Sequence, residues 1–277
     1  MIVLDNEEYY SVGEAAKLCN ISRKALRFYD EIGIISPDRI GENEYRYYKR
    51  DTLLMVPVIK YYKQMGFKLE EMRDFIAGAT YVELEESFKT KKVTLKKELS
   101  RIEEQYTSVR DWYNLIVEAS VVIESNATDV GVKYFEPSLL CYQDQPYKSD
   151  YKDAIINIEF TNYIESLENE ITGPVIRYFG DVREKLAGKL EMNRILQKTI
   201  LDCPFGRTVT FGGKVMLSCY HIGSHYRLSE TYDKMFDWAG LHGYKCKDAA
   251  YERYVTDYWT TSDAEKHVTE VIIEISR

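Results

Sequence analysis

Residues 9–50 read YYSVGEAAKLCNISRKALRFYDEIGIISPDRIGENEYRYYKR, and the fold turns on this stretch. Ser11 precedes VGEAAKLCN and Glu14 lies three residues on, the S-x-x-E pattern of a capping box that opens a helix. Val12, Ala15, Ala16 and Leu18 give that helix one small apolar side, and Asn20 punctuates it. Ser22 caps a second segment, RKALRFYDEIG, which Gly33 stops. Two capped helices joined by a tight turn form a helix-turn-helix, whose second helix enters the DNA major groove. The exposed face of that helix offers Arg23, Lys24 and Arg27. A hairpin follows, turning near Gly41, Glu42 and Asn43 and carrying Tyr45, Arg46, Tyr47, Tyr48, Lys49 and Arg50. Cations mixed with tyrosine hydroxyls suit phosphate contacts.

Charge is distributed to match. The 277 residues carry a net charge of −8, yet residues 9–63 hold ten Lys/Arg against seven Asp/Glu, a net of +3. A mildly basic reading head on an acidic body fits site-specific DNA binding and argues against a non-specific nucleic-acid coat. The length allows two domains, each with its own core. Cys19, Cys141, Cys203, Cys219 and Cys246 are scattered, odd in number and free of any C-x-x-C, which predicts free thiols in a reducing cytoplasm. The N-terminal MIVLDNEEYY lacks a signal-peptide layout, and no apolar run approaches membrane-spanning length.

Further along, DTLLMVPVIKYYKQM at 51–65 predicts a helix in which Pro57 is tolerated only near the start. KLEEMRDFIAG predicts a short helix stopped by Gly78. From Val82 to Ser120 there is neither Gly nor Pro. Phe88, Leu95, Ile102, Val109 and Ile116 recur every seven residues, with Lys92, Leu99, Tyr106 and Tyr113 as a second seam. Such a pattern predicts a coiled coil, and the simplest partner for it is a second copy of the chain. The expected organisation is therefore a reading head over 1–80, a coiled-coil dimerisation helix over 81–122, a linker over 123–130 and an effector domain over 131–277.

Beyond residue 130 the pattern becomes α+β. VKYFEPSLLCYQDQ and TGPVIRYFGD read as strands, and DYKDAIINIEFTNYIESLENE has helical spacing. GRTVTFGGKVMLSCYHI reads as two strands in a tight hairpin at Gly212-Gly213. LSETYDKMFDWAGLHGY is an amphipathic helix broken by Gly240 and Gly243, and AAYERYVTDYW and HVTEVIIEISR are closing strands. Two strand-helix-strand halves suggest a pseudo-repeat around one cavity. Thirteen of the 24 tyrosines lie in this half, more than its core requires. Strand alternation puts Glu252, Tyr254, Thr256 and Tyr258 on one face and Tyr251, Arg253, Val255 and Asp257 on the other. An acid between tyrosines equips a site for a lipophilic, cationic aromatic molecule, through cation–π attraction of ~0.5–2 kcal/mol per ring and a countercharge. His221 and His225, four apart, resemble a metal pair, but Gly223 between them opposes the helix that spacing needs, and neither metal nor cofactor is expected.

The first part resembles the winged helix-turn-helix of MerR-type transcription regulators. The resemblance lies in the S-x-G-E-x-A opening, the ALRFYD block, the step from Gly33 to Pro37 and the YRYY wing. Phe28 stands where many relatives have a second Tyr. The DNA contacts expected are Ser11, Arg23, Lys24, Arg27, Tyr29, Tyr45, Arg46 and Tyr47, with Lys60 on the backbone. The second part, through GGKVMLSCYHIGSHY, the helix ending in HGY and AYERYVTDYW, is similar to the gyrase-inhibitor-like ligand-binding domain of multidrug-sensing relatives. This resemblance implies ligand contacts from Glu252, Tyr226 and His267, to which Tyr254, Tyr258 and Tyr147 are added, with Tyr163 and Tyr178 as weaker candidates. It also implies a homodimer on a palindromic promoter that, when liganded, kinks and untwists the DNA for RNA polymerase. Three rivals stand: a constitutive architectural DNA binder, an effector domain that hydrolyses small electrophiles through Glu252 and Tyr226, and a metal sensor that would require the scattered cysteines to converge in space.

Overall fold

The computed structural model describes residues 2–4, 7–42, 44–204 and 206–277, in two compact units that divide at Leu99 and Ser100. In the first unit, β1 (Ile2–Leu4) and β2 (Glu7–Ser11) lead into α1 (Val12–Leu18) and α2 (Arg23–Glu31). The wing is β3 (Arg39–Ile40) and β4 (Arg46–Lys49), followed by α3 (Arg50–Leu53), α4 (Met55–Gln64) and α5 (Leu69–Ile76). Asn43, expected in the wing turn, lies outside the described residues. The sheet order β1-β2-β4-β3 sets the wing against the N-terminal segment, with Tyr10 opposite Tyr48. Both predicted caps are present. Ser11 Oγ and its backbone N–H each donate to Glu14, at 2.8 and 2.9 Å, and Ser22 Oγ accepts from the Ala25 N–H at 3.0 Å. Ala15, Leu26, Tyr29, Tyr48, Val56 and Ile59 close one core beneath the two helices. The helix expected over 51–65 is two, breaking at Leu54, so that Pro57 falls in the first turn of α4, where its missing N–H is harmless.

α6 (Tyr81–Ser125) is 45 residues long, about 67 Å at ~1.5 Å per residue. Along it Leu95, Leu99, Ile102, Tyr106, Val109 and Tyr113 are all exposed, Val109 at 67%. No described helix is long and apolar enough to cross a membrane.

The second unit builds an eight-stranded antiparallel sheet from β5 (Gly131–Phe135), β6 (Ser138–Pro146), β7 (Ile171–Phe179), β8 (Met192–Thr199), β9 (Thr208–Phe211), β10 (Lys214–Ile222), β11 (Lys245–Thr256) and β12 (Val268–Ser276). α7 (Tyr151–Ile155), α8 (Ile158–Glu165) and α9 (Val182–Leu186) belong to its first half, and α10 (Leu228–Leu241) to its second. The strand order β5-β10-β12-β11-β7-β8-β6-β9 has a pseudo-twofold logic. Triplets β6-β8-β7 and β10-β12-β11 meet at β7·β11, and each half lends one strand, β5 or β9, to the far edge of the other. The expected halves are thus present, but the expected hairpin at Gly212-Gly213 is not. β9 pairs with β6 and β10 with β5, so these glycines carry the chain from one end of the sheet to the other. The connection passes the β5–β6 link so closely that a Cβ on Gly212, φ +88°, would lie 2.3 Å from the Glu136 carbonyl oxygen. Close backbone approach, not turn geometry, is what demands glycine there. Gly240 lies inside α10 instead of breaking it; the helix ends at Leu241, before Gly243 at φ +74°.

α6 is also part of the second unit's core. Leu115, Ala119 and Val122 are buried with Val255 and Val268, and Trp112 packs beside them. A polar clamp joins the same surfaces: Arg253 pairs with Glu118 and Glu270, Tyr220 donates to Glu118 at 2.8 Å, and Ser218 donates to Glu270 at 2.6 Å.

Candidate functional site

The reading head presents its cations unequally. Arg23, Lys24 and Arg27 of α2 are exposed together on one face, and Phe28 beside them is 45% exposed. Tyr45 is exposed, and Arg46 of the wing is tied to Asp30 of α2 at 2.8 Å, locking wing to helix. Tyr47 is half-buried. Three expected contacts also have structural roles. Ser11 is committed to its capping box. Tyr29 is buried beside Leu26 with its hydroxyl accepting from Lys63 at 2.9 Å, because its place in the helix faces the core. The Lys60 ammonium donates to the Cys19 and Asn20 carbonyls at 2.7 and 3.4 Å, capping the end of α1. Arg39, which was not among the predicted contacts, is exposed on the wing.

In the second unit the predicted ligand residues converge. Glu252 is fully buried on β11, its neighbour Tyr254 donating to Oε2 at 2.6 Å. His225 stacks on His267 at 4.8 Å and on Tyr151 at 5.7 Å, and it meets Tyr254 and Tyr258 edge-on. Tyr226 packs edge-on against Tyr151 and is 65% exposed, at the rim of the cluster. Tyr147 lies over the Arg177 guanidinium, 5.0 Å from ring centre. Tyr163 and Tyr178 stand apart: Tyr163 packs on Phe160, and Tyr178 packs with Tyr251 in a separate core.

Sequence reading missed the cations. Lys185, on α9, is buried and pairs with Glu252 Oε1, which also accepts from Tyr232 at 3.0 Å. Burial alone would push the Glu252 carboxyl up, but the charges of Lys185 and Arg177 hold it below its ordinary value. Arg177 is fully buried; Nη2 donates to the Lys148 carbonyl at 3.0 Å, while Nε and Nη1 meet no acceptor in bonding geometry among the described residues. The Tyr147 and Tyr254 hydroxyls lie near enough to feel its charge. Burial lowers the His225 pKa to about 3, with His267 adding to the effect, so His225 is neutral at physiological pH. A signal for these partners existed in Arg177, opposite Glu252 in the β7·β11 register, but that register is not visible in a sequence.

His221 is not a metal ligand in waiting. Its Nδ1 pairs with Thr231 Oγ1 at 2.8 Å and its Nε2 with the Ser224 carbonyl at 3.0 Å, while His225 points into the aromatic cluster. The cysteines are free, and Cys141 and Cys203, far apart in sequence, are neighbours; burial pushes the Cys141 thiol up to about 12.

Comparison with known proteins follows the same division. The model for the MerR family regulatory protein matches residues 11–48, and the GyrI-like small molecule binding domain matches residues 201–276. The chain is 22% identical to the Multidrug-efflux transporter 2 regulator of Bacillus subtilis over 98% of both chains. It is 43% identical to the Multidrug-efflux transporter 1 regulator of the same organism over 83 residues, which are 30% of this chain and 28% of that one. Against the HTH-type transcriptional regulator CueR of Salmonella typhimurium it is 31% identical over 111 residues, 39% of this chain and 80% of the relative. With a winged reading head, a long helix and a buried, charged aromatic cluster in a GyrI-like domain, the chain belongs to the MerR family of regulatory proteins.

Proposed function

We propose that this protein is a ligand-responsive transcription activator that binds a palindromic promoter as a homodimer and signals a lipophilic, drug-like molecule bound in its C-terminal domain. The carrying observation is the buried cluster around Glu252. One acid, two bases, two histidines and several tyrosines are withdrawn from water in a domain that could be filled with aliphatic side chains. Burying such groups opposes stability, so the arrangement is best understood as serving recognition. The exposed seam of α6 is the surface for the second copy, and an antiparallel pairing of two such helices would set two reading heads on one site. Bound ligand would then favour the conformation that kinks and untwists the promoter for RNA polymerase, a deformation of several kcal/mol that differential affinity must supply.

A hydrolytic role is the weaker reading. Glu252 already accepts from Lys185, Tyr232 and Tyr254, which leaves it poorly placed as a general base, and Tyr226 packs on Tyr151 at the rim. The test is transcription from a promoter selected by the protein itself, with and without a panel of aromatic cations and neutral aromatics. Ligand-dependent activation is expected. A response indifferent to every compound would favour a constitutive architectural binder.

A further inference from the structure

The Glu252 carboxylate has its countercharge supplied from within. Oε1 accepts from Lys185 and Tyr232 and Oε2 from Tyr254, so a buried cation already balances the Glu252 charge. Another buried acid has no such partner. Asp257 follows the end of β11, is 2% exposed, and accepts a hydrogen bond from the Trp259 N–H at 3.1 Å. No ion pair to it is formed among the described residues. Desolvation pushes its pKa to about 6, and the Trp259 hydrogen bond offsets only part of that.

Asp257 opens onto a cleft of about 320 Å³ whose walls include Ile155, Phe160, Ile195, Trp112 and Trp259. The two indoles meet at 4.7 Å with planes at 66°, an edge-to-face corner. Trp112 belongs to α6, so a molecule in this cleft touches the long helix itself. The walls are mainly apolar and aromatic, with Asn157, Thr161, Asn162 and Gln197 among the lining, the volume is that of a two- or three-ring compound, and the single ionisable group at the wall is a carboxylate without a cation. A buried charge of this kind is costly unless a partner compensates it.

We propose that this cleft is a binding site for a lipophilic aromatic cation, with Asp257 as its counter-ion and Trp112 and Trp259 as its aromatic walls. The proposal rests on the ligand-responsive reading and moves the recognition of charge from Glu252 to Asp257. Contact with Trp112 gives occupancy of the site a direct hold on α6.

Other charged groups on the surrounding elements are engaged elsewhere. On α6, Asp111 pairs with Lys198 of β8 at 2.6 Å. Lys152 of α7 sits over the Tyr258 ring at 5.8 Å, and His267 Nε2 is bonded to the Thr261 carbonyl at 3.0 Å. Tyr258 is a further titratable side chain close enough to feel Asp257, and burial moves its hydroxyl up, away from neutrality. A pH response of cation binding near 6 that is absent in Asp257→Asn reports Asp257.

The experiment uses the full chain and a matched pair of probes, 2-naphthylmethylammonium and neutral 2-naphthylmethanol, followed by quenching of tryptophan emission. A Trp238→Phe background leaves Trp112 and Trp259 as the reporters. At pH 7.5 the cation is expected to bind at least tenfold tighter than the alcohol. Asp257→Asn, whose amide oxygen can still accept from Trp259, should remove that preference. In the unsubstituted cleft, cation affinity should fall about tenfold between pH 7.5 and pH 5, with the alcohol unchanged, and this fall should be absent in Asp257→Asn. If the preference survives Asp257→Asn and disappears in Glu252→Gln, the inference is overturned and the ligand-responsive reading stands on Glu252. If neither probe quenches at either pH, the cleft is not the site, and the promoter assay separately decides whether any ligand is sensed.

Discussion

Lys185 and Glu252 form the pair on which the effector domain's charge balance depends. Both are buried, and removing one partner strands the other, a loss of about 3–5 kcal/mol for buried pairs. Lys185→Met is therefore expected to lower stability by that order in urea unfolding, and the double variant Lys185→Met/Glu252→Gln to recover a large part of it. Equal and additive losses would show that the pair is not coupled. Asp257 behaves in the opposite sense to Glu252. Its pKa is raised from 3.8 to about 6, so the folded state holds its proton more tightly than the unfolded chain does. Relative to its level below about pH 4, stability falls as the pH climbs through about 6 by about 3 kcal/mol in all, at ~1.4 kcal/mol per unit. Asp257→Asn should gain on the parent protein by up to about that amount between pH 4 and pH 7.5, in paired unfolding curves without ligand. A constant difference across that range would assign the raised pKa to some other group.

At the scale of elements, glycine and caps give the sharpest tests. Gly212→Ala would place a Cβ against the Glu136 carbonyl in a left-handed backbone, and a loss of more than about 2 kcal/mol is expected. A hairpin turn in the same place would tolerate the change better, so a loss under about 1 kcal/mol would contradict the crossing of the two connections. Ser11→Ala removes one half of a capping box and should cost about 1 kcal/mol. The helix-turn-helix was legible because its signals are local: Ser11 to Glu14, Ser22 before Arg23, Gly33 after α2. The strand partners of β9 and β10 were not, since adjacent strands joined by Gly-Gly look like a hairpin whatever their true neighbours are. The same limit hid β2, whose pairing with the wing arises from residues about forty apart.

For the whole molecule, the exposed seam of α6 carries the expectation. Ile102 and Val109 are each well over half exposed on the single chain, at successive heptad positions. Val109→Glu, alone or with Ile102→Glu, should convert a dimer into a monomer by sedimentation equilibrium and abolish tight binding to a palindromic promoter. A monomeric parent protein would leave the seam without its proposed partner. DNA affinity should also fall steeply with salt, and Arg23→Ala should flatten that dependence by about one counterion.

Sequence alone determined what is written in short-range pattern: two capped helices and a wing, a heptad-bearing helix, and a tyrosine-rich α+β domain with Glu252 on an inward strand face. Those features depend on residues within a turn or a strand of one another, so propensity and periodicity reach them. Tertiary structure decided which charges meet. It brought Lys185 from α9 and Arg177 from β7 to Glu252, placed Tyr29 and Lys60 in structural roles, and left Asp257 facing an aromatic cleft with no cation of its own. Electrostatics is a property of distance in space, and in this sheet the strands that set those distances are neighbours across long loops and not along the chain.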